Sequence, residues 1–418
     1  MSSEMCEAEG GPRNLKKEMI ICTESLKKFL ITLGLTFFLT VPQFKHLVSI
    51  IIAAMQGGFD GKIKNVPELS MRKIHRTSVG KFLSKSPWPE KLVIRDYQDY
   101  VIARIRWQAL VTGCPVYVIL DDTCIEKTKP SSKAKRPIAG CGLHWSHLKK
   151  GIVYGHQLVG VPLVCGHLKL PYYLELYDKK VQSKIEMVTK VILGLPDFPT
   201  PVYVLGDSWY SARSVISAAR FRGFHYIGAL KTNRILYIKG GSKLGLPVGD
   251  YVKTLTKARV HLVTVGKQRY WVHRVNGHVK RLPQDGVILI SWPESQLFQE
   301  KAMNVFFSTC KLPDEVILTT YTERWTIEIF FRDNKMQLEI DRYQIRSQGA
   351  ITRFLYIIMI AYAYCSSLAE AQFLDGTLSA ARKQARTEMK CQLVAWVYQQ
   401  ACASVSLPQV NEQLGLLA

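Results

Sequence analysis

The sequence lacks long hydrophobic runs and cysteine pairs spaced as in metal sites or disulfide frameworks. Its longest apolar stretches, Phe29–Val41 and Phe354–Cys365, are shorter than the about 20 residues that a membrane-spanning helix needs. The first twenty residues are polar and contain no apolar segment of a secretory signal. The ten cysteines form no CxxC pair, in a chain of 418 residues that needs no disulfides for stability. These absences predict a soluble protein of the reducing cytoplasm with no membrane partner.

Acidic residues are scarce relative to basic ones, and the imbalance is concentrated in two segments. The chain has 56 Lys and Arg against 33 Asp and Glu, a net charge of +23. Residues 127–150 contain seven basic residues and no acid, and residues 231–281 contain twelve basic residues and one acid. A single run often marks only a solvated surface, but two runs on so basic a chain favour contacts with phosphates. The composition therefore predicts a globular protein with a polyanionic partner, with nucleic acid favoured.

Hydrophobic periodicity divides the chain into helical ends and a strand-rich centre. Apolar residues at a spacing of three to four predict helices within residues 1–113. Residues 114–233 predict the order β-β-β-α-β-α-β, and residues 234–317 predict strands separated by glycines. Residues 318–370 return to helix, and residues 371–418 form a nearly neutral helical tail. The predicted fold is α/β: a core in two parts, a β-rich insertion between them, and helical N-terminal and C-terminal regions.

Three acidic positions stand where strands end or on the late helix. Asp121 and Asp122 follow the predicted strand Pro115–Leu120, and Asp207 follows the strand PVYVL. Glu328 lies in the helical segment YTERWTIEIFFRDNK. A lone acid at a strand end is more often a turn residue, but three converging carboxylates suit hard cations such as Mg²⁺ or Mn²⁺. Two such ions activate the attacking oxygen and stabilise the leaving oxygen of a phosphodiester.

The late helix contains the most specific pattern in the sequence. Tyr321, Arg324, Glu328 and Lys335 fit Y-x2-R-x3-E-x6-K, and these offsets place them on one stripe of an α-helix, which Arg332 extends. An acid that binds metal beside cations that hold phosphates is the mixture that an active site on DNA requires. The plainer alternative is an exposed helix with an ion pair between Arg324 and Glu328.

The segments DDTCIEKT, GDSWYSA and YTERWTIEIFFRDNK together resemble the DDE transposases of bacterial insertion sequences. The Y-x2-R-x3-E-x6-K pattern is similar to that of the insertion-sequence-four family. The resemblance covers about residues 115–345 and, more weakly, the segment FLSKSPWPEKL in the N-terminal block. It implies an RNase H-like catalytic core whose metal-binding triad is Asp122, Asp207 and Glu328. Asp122 is preferred to Asp121 because the family's first Asp directly precedes a Thr.

The resemblance also implies a reaction and its partners. The enzyme would use two Mg²⁺ or Mn²⁺ ions to cut DNA at transposon ends and transfer the strand to target DNA through a hairpin. Tyr321, Arg324 and Lys335 would contact DNA phosphates beside the scissile bond. The N-terminal block would recognise terminal inverted repeats, and the tail would support a homodimer in a synaptic complex of the bacterial nucleoid. The alternatives are an RNase H-like nuclease or resolvase without strand transfer, and a domesticated, non-catalytic DNA-binding protein.

The insertion supplies further candidates for DNA contact. Lys253, Lys267 and Arg269 are predicted to contact phosphates. In the best-known hairpin-forming relative, a Trp immediately before a late insertion strand stacks an unstacked base, and the equivalent residue here is Asn304. We therefore predict that Trp292 is the substitute platform, since one stacked base is worth about 1–3 kcal/mol. The alternative is that Trp292 is a packed strand residue.

Overall fold

The computed structural model describes residues 20–131, 133, 137–146, 149–240, 244–371 and 377–416. The chain forms two compact units, one made of residues 1–96 and 335–418 and the other of residues 97–334. The boundaries of the five segments predicted from the sequence stay predictions.

The elements have the following bounds. The helices are α1 (Glu24–Thr32), α2 (Leu35–Phe38), α3 (Val41–Met55), α4 (Val66–Leu69), α5 (Arg76–Ser84), α6 (Glu90–Thr112), α7 (Lys184–Gly194), α8 (Arg213–Phe221), α9 (Val248–Val252), α10 (Asp314–Thr322), α11 (Trp325–Gln337), α12 (Gln348–Ala371), α13 (Leu378–Cys402) and α14 (Leu407–Gln413). The strands are β1 (Val116–Glu126), β2 (Gly142–Ser146), β3 (Gly151–Cys165), β4 (Leu168–Leu176), β5 (Val202–Gly206), β6 (His225–Ala229), β7 (Ile235–Ile238), β8 (Leu246–Pro247), β9 (His261–Val265), β10 (Gln268–Val279), β11 (Asp285–Pro293) and β12 (Asn304–Ser308).

The first unit is built around α12, which packs against α3, α5 and α13. The apolar run Phe354–Cys365 is the centre of this helix of 24 residues. The helix is long and apolar enough to cross a membrane, yet 72% of its most apolar window is buried inside the protein. A helix that is hydrophobic on all sides and enclosed by others has the pattern of a core helix. The first unit is therefore held together mainly by the apolar surface of α12.

The second unit contains one mixed sheet in the order β2-β3-β1-β5-β6-β12-β11-β10-β7-β8, with β4 also paired to β3 and β9 to β10. β1, β5 and β6 run parallel, and β3 runs antiparallel to β1. The succession from β1 to β6 has the predicted order, with β2 as an additional short strand. β12 pairs with β6, so the strands of the predicted insertion continue the sheet of the core.

Two predicted elements differ from the structure. The strand that begins near Pro115 does not end at Leu120 but continues to Glu126, because its second half still pairs with β3 after the pairing with β5 has ended. The helix predicted over the segment YTERWTIEIFFRDNK is interrupted at residues 323–324, between α10 and α11. Backbone hydrogen bonds across this break join residues three apart, which tightens the turn relative to an α-helix.

Candidate active site

Asp121 and Asp207 lie beside each other where the parallel pairing of β1 and β5 ends. The last paired residues are Leu120 and Gly206, so the two acids are the next residues on strands that lie about 4.8 Å apart. The Asp207 carboxylate accepts hydrogen bonds from the backbone N–H of Trp209 at 2.8 Å and of Tyr210 at 3.2 Å. These bonds fix the turn after β5 and hold the acid at the edge of the parallel strands.

Asp121 is largely buried, and burial raises the pKa of its carboxyl group to about 7. The neighbouring carboxylates of Asp207 and Asp122 raise this pKa further. The backbone N–H of Asp122, at 2.8 Å, and the guanidinium of Arg324 act in the opposite direction, but the effect of burial is larger. The group therefore titrates near neutral pH, which is unusual for an aspartate and typical of a functional carboxyl group.

Arg324 joins the strand acid to the late helix. Its guanidinium donates to the Asp121 carboxylate at 3.0 Å and also to the Glu328 carboxylate. It lies over the ring of Tyr321, with 5.8 Å between the guanidinium carbon and the ring centroid. The Tyr321 ring in turn contacts Phe306 of β12, at 4.7 Å between centroids. These contacts bring Tyr321, Arg324 and Glu328 together with Asp121. The late-helix pattern predicts that Tyr321, Arg324 and Glu328 lie close to one another.

A glycine on β3 allows α11 to approach the sheet at this point. Gly160 is paired with Asp121 across β1 and β3. A Cβ added at Gly160 would lie 2.8 Å from the ring of Phe331, closer than real atoms approach. A larger residue at this position would require the Phe331 ring to move. The contact of Phe331 with the sheet therefore depends on a small residue opposite Asp121.

Asp122 has a different set of partners. Its carboxylate accepts from Lys184 Nζ at 2.8 Å, from the Tyr210 hydroxyl at 2.9 Å and from the Gln157 amide. Successive side chains of a strand project to opposite faces of the sheet, so α11 can meet only one of two consecutive aspartates. The acid linked to Glu328 is Asp121. Asp122 as the first acid of the triad stays a prediction, and the contacts of Asp121 make it a second candidate for that position.

The remaining residues of the late-helix pattern are Arg332 and Lys335. Arg332 is exposed and approaches the neighbouring Asp333 at 3.5 Å. Lys335 is half-buried in the last turn of α11 and belongs to the first compact unit. The break before Trp325 also means that the predicted single stripe does not run along one continuous α-helix.

The three predicted cationic contacts of the insertion differ in their availability. Lys253 is paired with Asp250 at 2.8 Å, and Arg269 is paired with Glu294 at 3.1 Å. Lys267 is exposed in the turn between β9 and β10. In the part of the chain that the structure describes, no carboxylate lies within ion-pair distance of Lys267. Lys267 is the predicted contact that a phosphate could approach without breaking an existing ion pair.

Trp292 is a packed strand residue with no exposed surface. Its ring meets Phe298 edge-on at 5.4 Å, and it is paired with Trp271 across β10 and β11. It forms part of the wall of a cavity of about 570 Å³, which Lys253 also lines. A base could stack on this ring only if the side chains that cover it, Phe298 among them, moved aside. Trp292 as the stacking platform stays a prediction.

Trp209 is a candidate for DNA contact that the sequence patterns do not indicate, although it lies two residues after Asp207 in the segment GDSWYSA. Its side chain is 55% exposed. The ammonium groups of Lys184 and Lys231 lie 5.0 Å and 5.7 Å from its ring. An exposed aromatic ring flanked by lysines is suited to stacking a base while the cations contact the backbone.

The carboxylates fit a hard divalent cation in chemistry and location. Asp121 and Asp207 supply carboxylate oxygens at neighbouring positions. Burial raises the pKa of Asp121 most and the Asp207 carboxylate raises it further, and a bound cation would favour the ionised form of both groups. Among the described residues, no group of three or more His, Cys, Asp or Glu side chains is placed to hold a metal ion, and the Arg324 guanidinium bridges Asp121 and Glu328. An ion held by Asp121 and Glu328 together would have to displace that guanidinium.

Acids where the parallel pairing of two strands ends, with a third acid on a nearby helix, are an arrangement that metal-dependent chemistry on phosphodiesters can use. The family model of the transposase DDE domain matches residues 112–364, more than half of the chain. The chain therefore belongs to the transposase DDE domain family, whose members generally use divalent metal ions.

The cryo-EM structure of a piggyBac transposase synaptic complex with hairpin DNA is similar, with 9% identity and a TM-score of 0.47, over 95% of this chain and 82% of that chain. No curated protein matches the chain.

Proposed function

We propose that the chain is the transposase of an insertion sequence of the insertion-sequence-four type. It cuts DNA at the transposon ends and joins the freed 3′-OH to target DNA. The observation that carries the proposal is the linkage of Asp121, beside Asp207, to Glu328 through Arg324, in a chain of the transposase DDE domain family. The pattern Y-x2-R-x3-E-x6-K supports the narrower type. The order β4-β3-β1-β5-β6, with β1, β5 and β6 parallel, supports an RNase H-like core.

The residues of the site have distinct roles in this proposal. Asp121, Asp207 and Glu328 hold two divalent ions, Mg²⁺ or Mn²⁺, which when bound activate the attacking oxygen and stabilise the leaving oxygen. Arg324 neutralises Asp121 and Glu328 in the metal-free protein, and its fork of N–H donors suits a phosphate once the ions replace it. Tyr321 positions Arg324 through the contact of its ring with the guanidinium.

A homodimer that holds both transposon ends is part of the proposal, and the C-terminal helices support it. Val394, Tyr398 and Leu407 on α13 and α14 are each about 70% exposed. Residues 391–416 contain a single charged residue, Glu412, in a chain of net charge +23. Two strongly positive copies repel each other, so an uncharged apolar surface is where they associate at least cost. The protein acts in the bacterial cytoplasm, where its DNA substrate is found.

A hairpin intermediate is a finer step of the same proposal. Trp209, exposed beside Asp207, is a better platform for an unstacked base than the enclosed Trp292. The second candidate function, an RNase H-like nuclease or resolvase, uses the same acids without joining strands. A domesticated DNA-binding protein is disfavoured, because burial of Asp121 beside Asp207 and Asp122 has an electrostatic cost that an unused site has no reason to retain.

The proposal is tested with the purified full chain and the genomic DNA that flanks each end of its coding region. We expect Mg²⁺ or Mn²⁺ to support cuts that leave 3′-OH ends, followed by joining to a supercoiled plasmid, and we expect EDTA to abolish both. Glu328→Gln is the matched control, and it should neither cut nor join. Cutting without any joined product would favour the nuclease, and a denaturing gel of the cut ends would reveal hairpins.

Lys267 should contribute to DNA affinity through a phosphate contact. Lys267→Ala should reduce the slope of log K against log salt by about 0.9. Lys253→Ala and Arg269→Ala should reduce it less, because each of those residues already has a carboxylate partner. Equilibrium binding to one duplex at several salt concentrations measures the three slopes. Equal slopes for wild type and Lys267→Ala would show that Lys267 contacts no phosphate and that this turn is only solvated.

A further inference from the structure

The basic segment of residues 127–150 leads into and includes β2, which forms a two-stranded ribbon with β3. β2 is the outermost strand at its end of the described sheet and pairs antiparallel with β3. Lys129, Lys133 and Lys150 are exposed, and among the described residues no carboxylate lies within ion-pair distance of them. Cations that the protein does not neutralise are available to an anionic partner. The ribbon therefore has a positively charged border.

One face of this ribbon exposes large apolar side chains. Leu143 and Trp145 of β2 and Ile152 of β3 are each more than half exposed. Trp145 and Ile152 are paired across the two strands, so their side chains are neighbours on the same face. We refer to Leu143, Trp145 and Ile152 together as the ribbon face. A contiguous apolar patch rimmed by polar residues indicates an interaction site, whereas a single exposed apolar residue does not.

The opposite side of the ribbon is packed against the protein. Val153 is buried, and the ring of His144 contacts that of Tyr177 at 6.4 Å between centroids. Lys149, next to β3, also pairs with Glu126 at the end of β1. These contacts fix the ribbon to the sheet, so the ribbon face is presented to a partner in a defined orientation.

The ribbon face lies on the side of the sheet to which Asp121 projects. Gly160 of β3 is paired with Asp121, and Ile152 precedes Gly160 on the same strand by an even number of residues. Side chains at even spacing project to the same face of a strand. Because a strand rises about 3.3 Å per residue, Ile152 is at most about 26 Å from the candidate site. A duplex that rises about 3.4 Å per base pair spans this distance in about 6–8 base pairs.

The composition of the ribbon suits DNA of no fixed sequence. The ribbon face is apolar and can form no side-chain hydrogen bonds with base edges apart from the indole N–H of Trp145. Sequence is read chiefly by hydrogen bonds to base edges, whereas apolar side chains inserted between base pairs respond to how easily the duplex kinks. A transposon end has a fixed sequence and a target does not. The ribbon is therefore suited to the target duplex.

We infer that the ribbon face binds the target duplex and kinks it about 6–8 base pairs from the phosphodiester that is joined. Trp145 stacks on a base at the opened step, with Ile152 beside it. Lys129 and Lys150 contact the phosphates on either side. The opening costs least at flexible pyrimidine–purine steps, which become the preferred positions.

This inference rests on the proposed function, because it takes the bound duplex to be the target of strand joining. It goes further in naming the surface that captures the target and the property of DNA that selects the site of insertion.

The first test compares binding of the full chain to two duplexes that differ only in a central two-base mismatch. Wild type should bind the mismatched duplex at least about fivefold more tightly, because the mismatch lowers the cost of opening the stack. Trp145→Ala should bind both duplexes equally, and Trp145→Phe, which keeps an aromatic ring, should retain most of the preference. Trp107→Ala removes another tryptophan that is more than half exposed, on α6, and as the matched control should behave as wild type.

The second test locates the contact on the target. End DNA that already has a free 3′-OH is joined by the full chain to a pool of plasmids with random sequence, and the junctions are sequenced. Wild-type junctions should be enriched in pyrimidine–purine steps about 6–8 base pairs from the joined phosphodiester. Trp145→Ala should lose this enrichment and should still cut flanking DNA at the wild-type rate.

Three outcomes would overturn the inference. The first is equal binding of the two duplexes by wild type, and the second is a Trp145→Ala variant that keeps the preference for the mismatch or the enrichment at the junctions. The third is a Trp145→Ala variant with an altered oligomeric state and unchanged DNA preferences, which would assign the ribbon face to a second copy of the chain.

Failure of the inference and failure of the proposed function are distinguishable. Wild type that cuts and joins without any effect of Trp145→Ala keeps the proposed function and loses the ribbon as target surface. Wild type that neither cuts nor joins refutes the proposed function, and the comparison of matched and mismatched duplexes still judges the ribbon face.

Discussion

An Asp121→Asn enzyme should cut no DNA, whereas an Asp122→Asn enzyme should retain metal-dependent cutting. Asp121 is the acid linked to Glu328 through Arg324, and Asp122 is held by Lys184 and Tyr210. The asparagine side chain keeps the shape of aspartate but loses the charge that a divalent cation requires. A time course of cleavage on DNA that contains the transposon end measures both variants.

The same two variants should also differ in stability, and here Asp122→Asn should be the more impaired of the two. Asp122→Asn leaves Lys184, which is only 13% exposed, without its anionic partner. We expect the free energy of unfolding to fall by about 1–3 kcal/mol, less than for a fully buried pair. Urea denaturation of both variants checks this. Full activity in Asp121→Asn together with a folded, inactive Asp122→Asn would contradict the assignment and restore Asp122 as the first acid.

Binding of the divalent cation should depend on pH through Asp121. Burial raises the pKa of this carboxyl group to about 7, above its ordinary value of 3.8. The metal binds only the ionised form, so protons compete with it below that pKa. Mg²⁺ or Mn²⁺ should therefore raise the melting temperature more at about pH 8 than at about pH 6, and the cleavage rate should rise over the same interval.

The metal-free protein provides the control for this dependence. The pKa of Asp121 is higher in the folded than in the unfolded protein. Its protonation therefore stabilises the folded protein fully below about pH 4, and this contribution is lost as the pH rises through about 7. The free energy of unfolding of wild type relative to Asp121→Asn should fall over that window. A pH-independent difference between the two proteins, or an equal effect of metal at both pH values, would show that Asp121 does not titrate near neutrality.

The local elements around the site are largely predictable from the sequence. The apolar runs before Asp121 and Asp207 predict strands, and both strands are present. α7 begins with a capping box in which Ser183 and Glu186 bond to each other's backbone N–H groups. The spacing of Arg324 and Glu328 predicts their ion pair, which the structure contains. Each of these features depends on residues a few positions apart, so the sequence pattern contains the information.

Other features depend on residues far apart in the chain. Period-two alternation implies that Asp121 and Asp122 face opposite ways, but only the packing of α11 over Gly160 decides which of them meets Glu328. Trp292 alternates like any strand residue, and its burial follows from the strands and loops that cover it. The pairing of β12 with β6, which joins the insertion to the core sheet, leaves no mark in the local sequence.

The sequence by itself determined the charge of this protein, its alternation of strands and helices, and the acidic candidates for a site, of which Asp121 and Asp122 are adjacent. Those properties reside in composition and short-range spacing, where each residue's preference acts through its near neighbours. Only the tertiary structure decided that Arg324 joins Asp121 to Glu328 and that Trp209 is exposed while Trp292 is buried. Exposure and partnership are set by contacts between distant segments, and such contacts form only when the whole chain has packed.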